Sequence, residues 1–262
     1  CSNIIQRVMA LGLGLGIQRD NKVSSDEAFS LTDIAGLQLW AKNKTGVTTG
    51  ATLTWADQSG NGNDLTQAIA NAQPAYSAST GSFDFTGSNN AAPIYMVQDS
   101  AVSLGAFTTF YVLDLNIPTA PAANIFFGFA TLDADPLNNY IQFFGNSSAM
   151  YGYVRGGANT VADQVNALPL SNYPTNATKF VFTIRKDAAS NATVSFKNNN
   201  STMGSSTTFS STATVDLDFL GFKQSGGRSL PGRCYEVAYY NQSLSDSDVD
   251  DVIGDLITRN SI

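Results

Sequence analysis

The sequence predicts an all-β protein with an apolar arm at its N-terminal end and a short helix at its C-terminal end. Three observations carry this. Runs of β-branched and aromatic residues recur between clusters of Gly, Asn, Asp, Ser and Pro, the pattern of strands separated by turns. A helical apolar period occurs only near the two ends. With 262 residues, 43% of them hydrophobic, the chain can bury one large core without a second domain.

In chain order, Ile4, Ile5, Val8, Met9 and Leu11 recur with roughly helical spacing until Gly12, Gly14 and Gly16 break it. This glycine run is not a dinucleotide fingerprint, because a helix-like segment precedes it and no βαβ unit follows. It reads as a hinge in an apolar arm, followed by a polar linker over about 18–30. Residues 1–30 are thus arm and linker, and 31–262 the domain. Strands are expected near 37–42, 82–86, 107–117, 124–131, 139–145, 149–155, 179–186, 192–198, 215–223 and 233–240. Hairpins are expected around 145–148 and 187–191. The last element begins at Ser245, an N-cap with Asp248 three residues on. Val249, Val252, Ile253, Leu256 and Ile257 give that helix one apolar stripe to bury. Its aspartates complement the positive end of the helix dipole.

Composition narrows the chemistry. Charged residues make up only 13% of the chain, the net charge is -7 and the pI is near 4.4. This balance argues against nucleic acid or anionic membrane as a partner, since both require a basic footprint. No apolar window is long enough for a membrane span. Cys1 and Cys234 do not form a disulfide framework and are expected as free thiols. The chain contains no histidine, which removes Ser-His-Asp and Cys-His catalysis and most zinc sites. Its only glutamates are Glu27 and Glu236. Asp216 and Asp218 share one strand face, but with Leu217 and Phe219 turned to the core they read as solvent-face aspartates. No cofactor and no catalytic residue are expected.

Three loci carry side chains that bind. The loop from Trp55 to Asp64 places Gly60 and Gly62 among Asp57, Asn61, Asn63 and Asp64. These four offer carboxylate and amide oxygens of the kind calcium takes, and they equally suit a loop whose Asp57 accepts its own backbone N–H groups. The segment Asp133-Ala134-Asp135-Pro136-Leu137-Asn138 has Asp-x-Asp spacing but lacks the glycine and distal glutamate of an EF-hand, and reads as a turn. Tyr151, Tyr153 and Arg155 fall on one strand face, where they can stack on a sugar ring and bond its hydroxyls, or form a surface ladder or subunit contact.

The stretch Leu39-Trp40 followed by Trp55-Ala56-Asp57-Gln58-Ser59-Gly60-Asn61-Gly62-Asn63 resembles the opening of concanavalin A-like, laminin-G-type jelly-roll domains. Tyr240-Asn241-Gln242-Ser243-Leu244-Ser245-Asp246 resembles their closing strand and helix. Phe83, Phe85 and Gly87 resemble the second strand, although Thr86 stands where that family has Asp. The resemblance implies a two-sheet antiparallel sandwich, with Trp40, Phe83, Phe85, Phe110, Phe182, Ile184, Phe196 and Val237 buried in its core. Glycosidases of that fold carry a Glu-x-Asp-x-x-Glu strand, absent here, so a non-enzyme is expected. The Leu11-Gly12-Leu13-Gly14-Leu15 arm before such a domain resembles bacteriophage structural proteins. That implies a virion decoration protein, anchored through Ile4, Ile5, Val8, Met9 and Leu11 to other virion proteins or to itself, as a trimer. A host glycan is the further expected partner. The alternative is a secreted bacterial carbohydrate-binding or adhesion module.

Overall fold

The computed structural model describes residues 29–86, 92–115, 125–130, 140–145, 149–155, 163–169, 178–187, 191–198, 201–208, 214–223, 228–229 and 232–262. Strands β1 (Leu37–Ala41), β2 (Val47–Thr48), β3 (Leu53–Trp55), β4 (Leu65–Gln67), β5 (Ala75–Ser77) and β6 (Ser82–Asp84) are short. The longer β7 (Met96–Leu104) and β8 (Phe107–Leu115) follow, then β9 (Ile125–Ala130), β10 (Tyr140–Gly145), β11 (Ala149–Arg155) and β12 (Asp163–Pro169). The last strands are β13 (Phe180–Lys186), β14 (Asn191–Asn198), β15 (Ser201–Thr208), β16 (Val215–Leu220), β17 (Phe222–Lys223), β18 (Arg228–Ser229) and β19 (Gly232–Tyr240). Helix α1 spans Asp246–Asn260.

The strands pair antiparallel into an eight-stranded sheet, β15-β14-β13-β8-β19-β6-β5 with β1 also on β19, and a five-stranded sheet, β16-β7-β4-β3-β2. A four-stranded sheet, β12-β11-β10-β9, lies with β9 beside β16. Each of the ten expected strand regions contains a strand, and both expected hairpins form, β10 to β11 and β13 to β14.

Alternation decides which residues meet. Leu39, Phe83, Tyr111, Phe182, Ile184 and Val237 of the eight-stranded sheet, with Phe85 just after β6, pack against Leu53, Trp55, Leu65, Met96, Leu104 and Leu217 of the five-stranded sheet. The register of β19 shifts between Cys234 and Glu236, so Cys234 and Val237 reach this same cluster although three residues apart.

The eight-stranded sheet is buried on its other face as well. Leu37, Trp40, Phe110, Val112, Val181, Tyr235, Ala238 and Tyr240 form a second cluster with Val252, Ile253 and Leu256 of α1. This corrects the sequence reading of a single core: Trp40 and Phe110 are buried as expected, but under the helix rather than between the sheets. The side chain of Phe196 lies outside the described residues. A sheet covered on both faces needs continuous apolar strands, which explains the runs Phe180–Ile184 and Cys234–Tyr240. The helix starts as its sequence predicts, with Ser245 Oγ accepting from Asp248 N at 3.1 Å.

Candidate functional site

The Asp57 loop is built around one carboxylate. Asp57 Oδ1 accepts from Trp40 N and Ser59 N, both at 2.8 Å, and Oδ2 accepts from Ser59 Oγ at 2.6 Å and Asn63 N at 3.1 Å. Asp64 Oδ1 accepts from Asp57 N at 2.8 Å. Asn61 Nδ2 donates to Leu37 O at 2.8 Å and Asn63 Nδ2 to Gln38 O at 2.7 Å. Gln58 N donates to Trp40 O. One edge of β1 is paired with β19, and these bonds satisfy the groups along its other edge. Gly60 and Gly62 turn the loop at φ +89° and +75°. Trp55 anchors it, fully buried, stacked on Phe83 at 4.3 Å between ring centroids and donating to Lys42 O at 2.9 Å.

The four residues singled out as calcium ligands are therefore together, but hydrogens point at both oxygens of Asp57, the reverse of what a cation requires. Among the described residues no three of His, Cys, Asp and Glu gather as a ligand set. Asp57→Ala is expected to cost about 1–3 kcal/mol by orphaning part-buried backbone amides. Chelator should leave the wild-type melting temperature unchanged. A chelator-dependent fall that the variant lacks would mean that calcium holds the loop.

Tyr151, Tyr153 and Arg155 lie on β11, inside the four-stranded sheet. Tyr151 is registered against Phe144 and Asn166, Tyr153 against Gln142 and Gln164, and Arg155 against Tyr140. Their side chains lie outside the described residues, as do Asp133, Asp135 and the arm residues Ile4, Ile5, Val8, Met9 and Leu11. Asp216 and Asp218 are half-buried on β16, between the buried Val215, Leu217 and Phe219, as their alternation predicts.

Among the described residues, two buried carboxylates were not singled out by sequence. Glu236 Oε1 accepts from Trp40 Nε1 at 2.7 Å and Oε2 from Asn260 Nδ2 at 2.8 Å, while Arg259 Nη2 lies 3.0 Å from Oε1. This group ties β1, β19 and the last turn of α1 together. Asp114 accepts from Tyr235 OH at 2.7 Å and pairs with Arg233 Nη2 at 2.7 Å. The hydrogen bond that Arg233 Nε donates to Asp114 Oδ1, at 3.1 Å, is the main reason the Arg233 guanidinium is held more firmly protonated than usual. The available signal for Glu236 was its position as a lone acid inside an apolar run.

Cys234 is a buried free thiol, and burial pushes its pKa well up. Native protein should not be modified at Cys234 by a disulfide reagent until it is unfolded. Mass-spectrometric detection of rapid native labelling there would contradict this packing.

No protein-family model and no curated protein matches the chain. Solved structures do. The binding domain of Paraclostridial Mosquitocidal Protein 1 is 14% identical with a TM-score of 0.59, over 87% of this chain and 53% of that one. The receptor binding domain of botulinum neurotoxin D is 14% identical with a TM-score of 0.60, over 87% and 54%. The serotype D ligand binding domain in complex with N-acetylneuraminic acid is also 14% identical, with a TM-score of 0.57, over 85% and 51%. At this identity the likeness shows the fold, a β-sandwich, and the chain spans about half the length of these domains.

Proposed function

We propose that the chain is a non-enzymatic, glycan-binding β-sandwich displayed on a bacteriophage virion as a decoration protein. The observation that carries the non-enzymatic reading is the commitment of the two carboxylates buried among the described residues, Glu236 and Asp114, to structural ion pairs with arginines. A general acid or nucleophile needs a carboxylate free to meet substrate. Sugar binding is supported by the aromatic and guanidinium residues Tyr151, Tyr153 and Arg155 on one strand, and by a fold shared with domains solved as toxin binding domains, one of them holding a sialic acid. The virion placement rests on the apolar arm and its resemblance to phage structural proteins.

The deciding experiment is a glycan array with the purified chain, paired with imaging of the native assembly. Array binding of neutral glycans that Tyr153→Ala abolishes, together with copurification with particles, is the expected result. Binding by an exported protein never found on particles would establish the secreted module instead. Release of reducing sugar from β-glucan, agar or host polysaccharide, abolished by one Asp→Asn change, would overturn the non-enzymatic reading. Deleting residues 1–17 should leave a folded sandwich that no longer attaches or oligomerises. Unchanged attachment and assembly with a lowered melting temperature would place the arm in the domain's own core.

A further inference from the structure

We propose that the ledge where α1 ends above the outer face of the eight-stranded sheet is a site for an acidic sugar, its carboxylate or sulfate held by Lys42, Lys44 and Lys179. This names a ligand class for the glycan-binding reading and rests on it, but it uses a different surface from β11. Of the fourteen Lys and Arg, three precede residue 29, and five of the other eleven gather here: Lys42, Lys44, Lys179, Arg233 and Arg259. In a chain of net charge -7, that concentration is local.

The contacts place them together. Lys42 Nζ lies 4.7 Å from the centroid of the Trp40 ring and the Arg259 guanidinium 5.2 Å from it. Lys179 Nζ sits 4.6 Å over the Tyr235 ring and donates to Asn260 O, near the end of α1, at 2.7 Å. Asn43, between Lys42 and Lys44, donates to Tyr235 O at 3.2 Å, which brings their turn to the same strand.

The nearby acids are already engaged. Asp114 is closed by Arg233 and Tyr235, and Glu236 by Arg259, Asn260 and Trp40. Asp255 pairs with Arg259, and Asp84 Oδ1 accepts from Thr86 N. Among the described residues, Lys42, Lys44 and Lys179 form no ion pair. Burial first, and then the charges of Lys44 and Arg233, hold the Lys179 ammonium below its ordinary pKa against the pull of Asp114. An arriving anion would relieve that repulsion.

Lys44 adds an independent sign. Its φ is +57°, in a turn closed by Thr45 N donating to Lys42 O at 3.2 Å. Glycine or asparagine fills such a position without strain, so a lysine there spends conformational energy to present an exposed ammonium. Lys42 and Lys179 are half-buried beside it, and a partly desolvated amine bonds an anion more strongly than one in open water.

The test is calorimetric titration of the full chain at low salt with 3′-sialyllactose, lactose 3-sulfate and lactose. At least one acidic sugar should bind about tenfold or more tighter than lactose, the margin of one charge-assisted hydrogen bond. The two acidic probes tell carboxylate from sulfate. Lys44→Gln, and the double variant Lys42→Gln/Lys44→Gln, should remove that margin while melting temperature is kept. Equal affinity for lactose and the acidic sugars, or an unchanged margin in the lysine variants, overturns the proposal. If Tyr153→Ala abolishes all sugar binding and the lysine variants abolish none, the glycan-binding reading stands and the ledge site falls. If no acidic sugar binds, the ledge site falls, and the array with neutral glycans decides the broader reading separately.

Discussion

Replacing Glu236 with alanine should destabilise the protein by about 3–5 kcal/mol, the cost of removing one partner from a buried ion pair. The carboxylate is fully buried and receives the Trp40 indole N–H, the Asn260 amide and the Arg259 guanidinium at once. Its loss leaves three donors facing a void between β1, β19 and α1. Arg259 keeps Asp255 at 2.6 Å, and its side chain is 20% exposed, so water softens part of the loss. Asn260 Nδ2 keeps Leu256 O at 3.0 Å, whereas the Trp40 indole N–H, on a side chain only 5% exposed, has no such recourse. Denaturant unfolding would measure the change. Glu236→Gln should fall between wild type and alanine, because the amide oxygen can still accept from Trp40. The double variant Glu236→Ala/Arg259→Ala should be less damaged than the sum of the two single changes. Strict additivity would show that the ion pair contributes nothing of its own.

Gly221→Ala should cost about 2–6 kcal/mol, because it combines backbone strain of about 1–3 with overpacking of a similar size. Gly221 follows β16 at φ +101°, a conformation L residues resist. A Cβ there would stand well inside van der Waals contact of Phe85 Cδ1 and Cε1. Phe85 cannot retreat, since it is fully buried in the cluster between the sheets. The two contributions can be separated. Phe85→Leu removes the rigid ring edge, so adding it to Gly221→Ala should recover the steric part and leave the strain. A Gly221→Ala variant as stable as wild type would mean that the strand turns there in another way.

The fold was legible where burial on both sheet faces forced apolar runs, as in Phe180–Ile184 and Cys234–Tyr240. Strand β15 was not expected, because its sequence Ser-Thr-Met-Gly-Ser-Ser-Thr-Thr is polar and it pairs only with β14 at the sheet edge. Strand β7 was missed for a related reason: Asp99, Ser100 and Ala101 interrupt its alternation and are exposed. Strands β2 to β5 have two or three residues each, too few to show a period, and their pairing partners define them. In the Asp57 loop, composition disclosed a carboxylate surrounded by its own amides. That the loop satisfies an edge of β1 is a tertiary fact, carried by bonds from Asn61 and Asn63 to carbonyls more than twenty residues away. Glu236 was less accessible still, since its partner Trp40 lies 196 residues distant.

The pairing of β1 with β19 sets a constraint on biosynthesis. Leu37 opposes Tyr240 and Ala41 opposes Val237, so an early strand of the domain waits for nearly the last. Strand β8 waits too, since β19 lies along it from Leu115 to Thr108. While the chain is still emerging from the ribosome, Leu39, Phe110 and Tyr111 lack the cover that Val237, Tyr239, Tyr240 and α1 give their clusters. Non-local closure of this kind is slow, and unpaired apolar strands invite association with other chains. Prematurely terminated chains ending before residue 232 should therefore be captured by chaperones or degraded rather than accumulate as partial domains.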